Sequence, residues 1–281
     1  MPANAGKSRQ SNASELSPEG DAVRNTVAKI GELVTVNLNG QILNYWETGK
    51  LAQQPLIIFS HGLGGCGTHI SFLATEFAKH GWLVVAPDHS DAACKAHRTT
   101  LKPMSDPATW DETTFVERRD EIRKVYRSLR NDAAWRNRID WSRVSLAGHS
   151  LGGYAALAMA GGLPAWKMDG ISAVLVLSPY CGALNSKGTL SEISIPVMFF
   201  GGNHDDITGQ MVTNPGGCFE RTGGEVSFVE LDRAHHMSFT NVDGIGHTQM
   251  ISYAMQFFTA VYDGRPLHLT SSPGVSGLKQ K

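Results

Sequence analysis

Short apolar runs recur along this chain and limit what it can fold into. Pro55–Ser60 (PLIIFS), Trp82–Pro87 (WLVVAP), Arg143–Ala147 (RVSLA), Ile171–Ser178, Ile195–Gly201 and Glu225–Leu231 are each brief and dominated by apolar side chains. A strand wetted on one face alternates apolar with polar residues, so near-continuous runs mark strands buried on both faces. Helical patterns lie between them. Residues 69–80 place Ile70, Leu73, Ala74 and Phe77 on one face, with Gly81 where the helix would stop. Residues 113–130 place Ile122, Val125, Tyr126 and Leu129 on one face, and Leu151–Ala160 and Thr248–Tyr262 continue the series. Strands alternating with helices predict an α/β fold, a mostly parallel central sheet with helices on both faces. A hairpin should precede it, because Leu38-Asn39-Gly40 separates the strand patterns Glu32–Asn37 and Gln41–Glu47.

A length of 281 residues suits one α/β domain, expected over 26–267. Residues 1–25 and 268–281 are rich in Ser, Gly, Asn and charge, and read as a disordered tail and a flexible tail. Lys and Arg number 25 against 26 for Asp and Glu, a net charge of −1, which gives no electrostatic case for nucleic acid or an anionic membrane. No apolar stretch is long enough for a membrane span. The N-terminal residues lack the apolar segment of a secretory signal, so a cytoplasmic protein is expected. Cys66, Cys94, Cys181 and Cys218 form no C-x-x-C pair and are expected as reduced thiols.

The most specific motif is Gly148-His149-Ser150-Leu151-Gly152, directly after one predicted strand and directly before a helix. A serine on such a sharp strand-to-helix turn projects its hydroxyl above the sheet. Side chains at the flanking glycines would collide with neighbouring backbone. Ser150 is therefore the candidate nucleophile. A serine hydroxyl needs a base, and the base needs an orienting group. The loop after the 195–201 strand offers Asp205 and Asp206, and the loop after the 225–231 strand offers His235 and His236. Spacing does not choose within either pair. Ser60-His61-Gly62-Leu63-Gly64-Gly65 leaves another strand. Its backbone, at Leu63, and the N–H of Leu151 are the candidate oxyanion hole. The His61 side chain is expected to be structural.

Taken in order, SHGLGG, GHSLGG, GGNHDD and AHHMSF resemble the α/β-hydrolase superfamily over roughly residues 30–262. The resemblance lies nearest the group of dienelactone hydrolases, platelet-activating-factor acetylhydrolases and cutinase-like polyesterases. It implies the α/β-hydrolase fold. It also selects within the two pairs: Gly201-Gly202-Asn203-His204-Asp205 matches the polyesterase acid pattern at Asp205, and Leu231-Asp232-Arg233-Ala234-His235-His236 matches its histidine pattern at His236. The chain departs from the group at two places. Acetylhydrolases carry their acid after the earlier strand, where Ser178-Pro179-Tyr180 supplies no carboxylate. Polyesterases often have an aromatic residue where Leu63 stands.

The expected protein is a serine hydrolase acting on small-molecule carboxylic esters with short acyl chains, through Ser150, His236 and Asp205, with no cofactor and no metal. An acyltransferase or a thioesterase would use the same site. A non-catalytic binding protein would be expected to break the triad, and this chain keeps every element. The other polar residues read as structural. His149, His204 and His235 neighbour the active residues, and Asp88, His89 and Asp91 end a strand without an expected metal. Arg118, Arg119, Arg123, Lys124 and Arg127 alternate with acids as a solvated helix face. Trp110 and Tyr180 suit either an acyl pocket or the core, and residues 89–112 are expected to cover part of the cleft.

Overall fold

The computed structural model describes residues 28–50, 52–96 and 106–281. The predicted N-terminal tail, 1–25, lies outside the described residues, as does 97–105 within the segment expected over the cleft. In chain order the strands and helices are β1 (Leu33–Leu38), β2 (Gln41–Trp46), β3 (Gln54–Ser60), α1 (Ser71–Lys79), β4 (Leu83–Pro87), α2 (Val116–Asn131), α3 (Ala133–Arg138) and β5 (Ile139–His149). They continue with α4 (Leu151–Leu157), β6 (Ala173–Leu177), α5 (Gly182–Lys187), β7 (Val197–Gly202), α6 (Gly209–Thr213), α7 (Cys218–Arg221), β8 (Val226–Leu231), α8 (His247–Tyr262) and β9 (Val275–Gln280).

Among the described residues these strands form one nine-stranded sheet in the order β1-β2-β4-β3-β5-β6-β7-β8-β9. The pairs from β4 through β3 to β8 are parallel, and β1, β2 and β9 run antiparallel to their neighbours. The fold is that of an α/β-hydrolase. The hairpin turns at Asn39 and Gly40, with φ of 51° and 77°, the left-handed pair that matches the twist of the strands it joins. Two apolar layers cover the sheet. Ile122, Val125 and Leu129 of α2 pack with Tyr154 and Leu157 of α4 on one face, and Leu73 and Phe77 of α1 pack with Phe257 and Phe258 of α8 on the other. Each parallel strand ends at the same sheet edge, and the loops there meet above β3, β5, β7 and β8.

Two expectations are corrected. Residues 268–281 do not form a flexible tail throughout, because β9 pairs with β8 from Ser227↔Gln280 to Leu231↔Val275. The composition hides this edge strand, since its side chains are mostly half-buried or exposed and backbone bonds hold it. Anchors on the approach are Tyr253, whose hydroxyl donates to the Thr270 carbonyl at 2.6 Å, and Gln249, which donates to that of Pro273 at 2.7 Å. The cysteines are not free thiols either. Cys66 pairs with Cys94 and Cys181 with Cys218. Sequence spacing cannot reveal pairs separated by 28 and 37 residues, which the loops at the sheet edge bring together.

Candidate active site

Ser150 sits between β5 and α4 at φ 54°, ψ −119°, a strained backbone for a residue with a side chain. The turn is tight enough that a methyl at Gly148 would strike the Gly152 backbone, and one at Gly152 would strike the Ser60 carbonyl at the end of β3. The Ser150 N–H donates to Leu177 of β6 at 3.1 Å, and its carbonyl accepts from Tyr180 at 3.0 Å. Backbone bonds thus fix the hydroxyl without using it.

The hydroxyl lies 2.9 Å from Nε2 of His236, which opens a short helical turn in the loop after β8. Nδ1 of His236 faces Asp205 Oδ2 at 3.2 Å. Asp205 stands after β7 and is buried, whereas Asp206 and His204 are exposed. Asp205 Oδ1 accepts the N–H groups of Ile207 and Thr208 at 2.9 and 3.0 Å, and Oδ2 accepts the hydroxyls of Thr208, at 2.8 Å, and Ser178. Burial raises the pKa of this carboxyl, but the bonds from His236, Ser178 and Thr208 outweigh it and hold the group well below the usual carboxylate range. His235 turns away to Asp243, with Nε2 2.8 Å from Oδ2, and its Nδ1 caps the following turn at Met237. The structure thus brings Ser150, His236 and Asp205 together.

Leu63 lies across the cleft from the elbow, with Gly62 packed against the Ser150 side chain. Among the described residues, the N–H groups of Leu63 and Leu151 donate to no protein acceptor. The cleft holds about 440 Å³ and is bordered by Leu63, Tyr180, Ile207, Met237 and Phe239. Trp110 is buried and stacks on Tyr180, with ring centroids 5.3 Å apart, so Trp110 belongs to the core and Tyr180 to the cleft wall. Of residues 89–112, those that are described do not border it.

Sequence reasoning missed Ser178. It follows β6 at φ 47°, and its hydroxyl lies 2.9 Å from His236 Nδ1. It also placed Arg118 on a solvated face, whereas Arg118 is 1% exposed. The missed signal was spacing, because Arg118 lies one helical turn before Ile122, on the apolar stripe. Asp88, His89 and Asp91 look toward different partners: Gly67 and Asn44, Ser60 and Glu121, and Arg118 and Gly64.

His149 lies behind the site, with Nε2 3.0 Å from the His236 carbonyl. Burial pulls its pKa down to about 3, helped by the charge of His236. His61 and His89 are also pulled well below 6.5, by burial and then by Arg118. Each is neutral when folded but binds a proton in the unfolded chain below about pH 6.5, so stability is full above that pH and declines as pH falls. The limit is about 1.4 kcal/mol per pH unit for each histidine. Asp205 adds nothing between pH 7 and 5, because it is ionised in both states, and the Glu121 carboxyl, raised by burial, opposes the trend. The urea midpoint should therefore drop clearly from about pH 7.5 to about pH 5. Equal midpoints would contradict three neutral buried imidazoles.

Comparison with known proteins agrees with the fold. A family model described as platelet-activating factor acetylhydrolase, isoform II, matches residues 28–134. The chain is 28% identical over 183 residues to cutinase est2 of Thermobifida alba, covering 65% of this chain and 52% of that protein. It is 27% identical over 140 residues to a platelet-activating factor acetylhydrolase of Gallus gallus, covering 35% of this chain and 33% of that one. A short stretch of 50 residues reaches 44% identity with the acetylhydrolase of Cavia porcellus, covering 18% of this chain and 11% of that protein. The chain therefore spans about half the length of the cutinase and a third of the Gallus gallus acetylhydrolase. With its sheet order and its strand–serine–helix turn, the chain has the α/β-hydrolase fold and resembles the group that holds the platelet-activating factor acetylhydrolases and the cutinases.

Proposed function

We propose that the protein is a serine carboxylic-ester hydrolase acting on short-chain acyl esters. The observation that carries this is the line from Ser150 Oγ through His236 to Asp205, at 2.9 and 3.2 Å, on the floor of an apolar cleft. Ser150 Oγ attacks the ester carbonyl carbon while His236 Nε2 takes its proton. Asp205 holds Nδ1–H and stabilises the imidazolium that forms. The N–H groups of Leu63 and Leu151 stabilise the tetrahedral oxyanion. His236 returns the proton to the leaving alcohol, and water, activated by the same imidazole, then releases the acid. The names of the cutinase and acetylhydrolase relatives support ester chemistry.

The size of the cleft, about 440 Å³, supports short acyl chains. The two disulfides support action in an oxidising compartment rather than in the expected cytoplasm. The test is a series of p-nitrophenyl esters from acetate to palmitate. kcat/KM should peak at acetate to butyrate and fall at least tenfold by palmitate. A fluorophosphonate probe should label Ser150 alone. A palmitate optimum would overturn the chain-length reading, and absence of both turnover and labelling would overturn the esterase.

A further inference from the structure

Beneath the Leu63 loop lies a buried polar cluster that the reaction does not touch. Ser60 Oγ is 2.8 Å from His89 Nε2, and His89 Nδ1 is 2.7 Å from Glu121 Oε2 of α2. These are triad distances, but Ser60 is 1% and His89 0% exposed, so no ester can reach the hydroxyl. The neighbouring bonds show what the cluster holds. The His89 N–H donates to His61 Nε2 at 3.0 Å, so His61 carries its proton on Nδ1, which donates to the Gly62 carbonyl at 2.7 Å. Arg118 donates to the carbonyls of His61, at 2.5 Å, and Gly62, at 3.2 Å. The same guanidinium grips Asp91 at 2.7 and 2.9 Å, and Asp91 Oδ2 accepts the Gly64 N–H at 2.9 Å.

The consequence follows from peptide geometry. In a trans peptide the carbonyl and the N–H point in opposite directions, and no described peptide is cis. Three donors hold the Gly62 carbonyl inward: Arg118, His61 and, at 3.0 Å, the Gly65 N–H. The Leu63 N–H of the same peptide must then point outward, away from the cluster. Asp91 fixes the next peptide through Gly64, so Leu63 is pinned on both sides. We propose that Arg118, with Asp91 as its counter-ion, is the positioning residue of the oxyanion hole, aiming the Leu63 N–H at the substrate carbonyl oxygen. This rests on the esterase reading above. Lysine cannot replace arginine here, because one ammonium does not span two carbonyls and a carboxylate in a fixed plane.

The experiment measures kcat and KM on p-nitrophenyl butyrate and on its thionoester. Sulfur accepts hydrogen bonds poorly, so the ester-to-thionoester rate ratio reports the oxyanion donors. Removing one donor outright costs about 10²–10³ in kcat, and a misaimed donor less. Arg118→Lys should lower kcat about 10- to 100-fold, keep KM within about twofold and shrink the ester-to-thionoester ratio by a similar factor. Asp91→Asn should move both numbers in the same direction, less far. Arg127→Lys, at an exposed site on the same helix, should change neither. A folded Arg118→Lys with unchanged kcat would overturn the proposal, as would a kcat loss that leaves the ratio intact. If Arg118→Lys does not fold, Asp91→Asn decides by the same two numbers. A wild-type protein without ester turnover would instead overturn the esterase reading, and the positioning role with it.

Discussion

Ser150→Ala should lower ester turnover by about 10⁶, the scale seen when a triad nucleophile is removed alone. What remains is binding and oxyanion stabilisation without a nucleophile. Folding should survive, because the bonds that fix the turn run through the Ser150 backbone and α4 begins at Leu151. The backbone strain at φ 54° is set by the turn and persists with alanine. The check is kcat on p-nitrophenyl butyrate, fluorophosphonate labelling and circular dichroism on the same preparation. Turnover within tenfold of wild type would end the assignment of Ser150 as nucleophile.

Asp205→Asn should lower turnover by about 10⁴, because the amide favours the imidazole tautomer that withholds Nε2 from the serine proton. The amide oxygen can still accept the N–H groups of Ile207 and Thr208, so the loop should keep its shape and the loss should fall on kcat. Ser178 does not compensate. Its hydroxyl also reaches His236 Nδ1, but it is neutral and cannot stabilise an imidazolium as a carboxylate does. Asp206→Asn should stay within about twofold, since that side chain is exposed and the loop is fixed by its neighbour. Turnover of both variants from about pH 6 to about pH 9 decides the matter. A crippled Asp206→Asn beside a near-normal Asp205→Asn would reverse the assignment.

The strands were legible because a sheet covered on both faces demands consecutive apolar residues, as in PLIIFS and WLVVAP. The serine turn was legible because its glycines answer to close backbone approach, which the packing of Gly152 against Ser60 shows directly. Side-chain identity carried less where several residues suited one role. Neither loop spacing nor residue type separates Asp205 from Asp206; the motif resemblance selects Asp205, and the structure buries it against His236. Arg118 is hidden in the sequence because its charge pattern points to solvent while its helical phase points to the core, a phase that a buried arginine keeps when carbonyls and a carboxylate receive it. The cysteine pairs and β9 depend on contacts far along the chain, and local pattern carries no record of those.

The sheet order has a consequence for how the site is assembled. Ser150 and His236 are 86 residues apart, Asp205 and His236 31, and Arg118 lies 56 from the carbonyl it holds. Contacts of such range require large loops to close before they stabilise anything, which places them among the slow steps of forming a fold. A chain whose β8 has not docked on β7 carries the strained serine turn but not the His236 imidazole beside it. Regain of turnover after dilution from denaturant thus reports closure of the C-terminal half of the sheet, whereas recovery of helical circular dichroism does not.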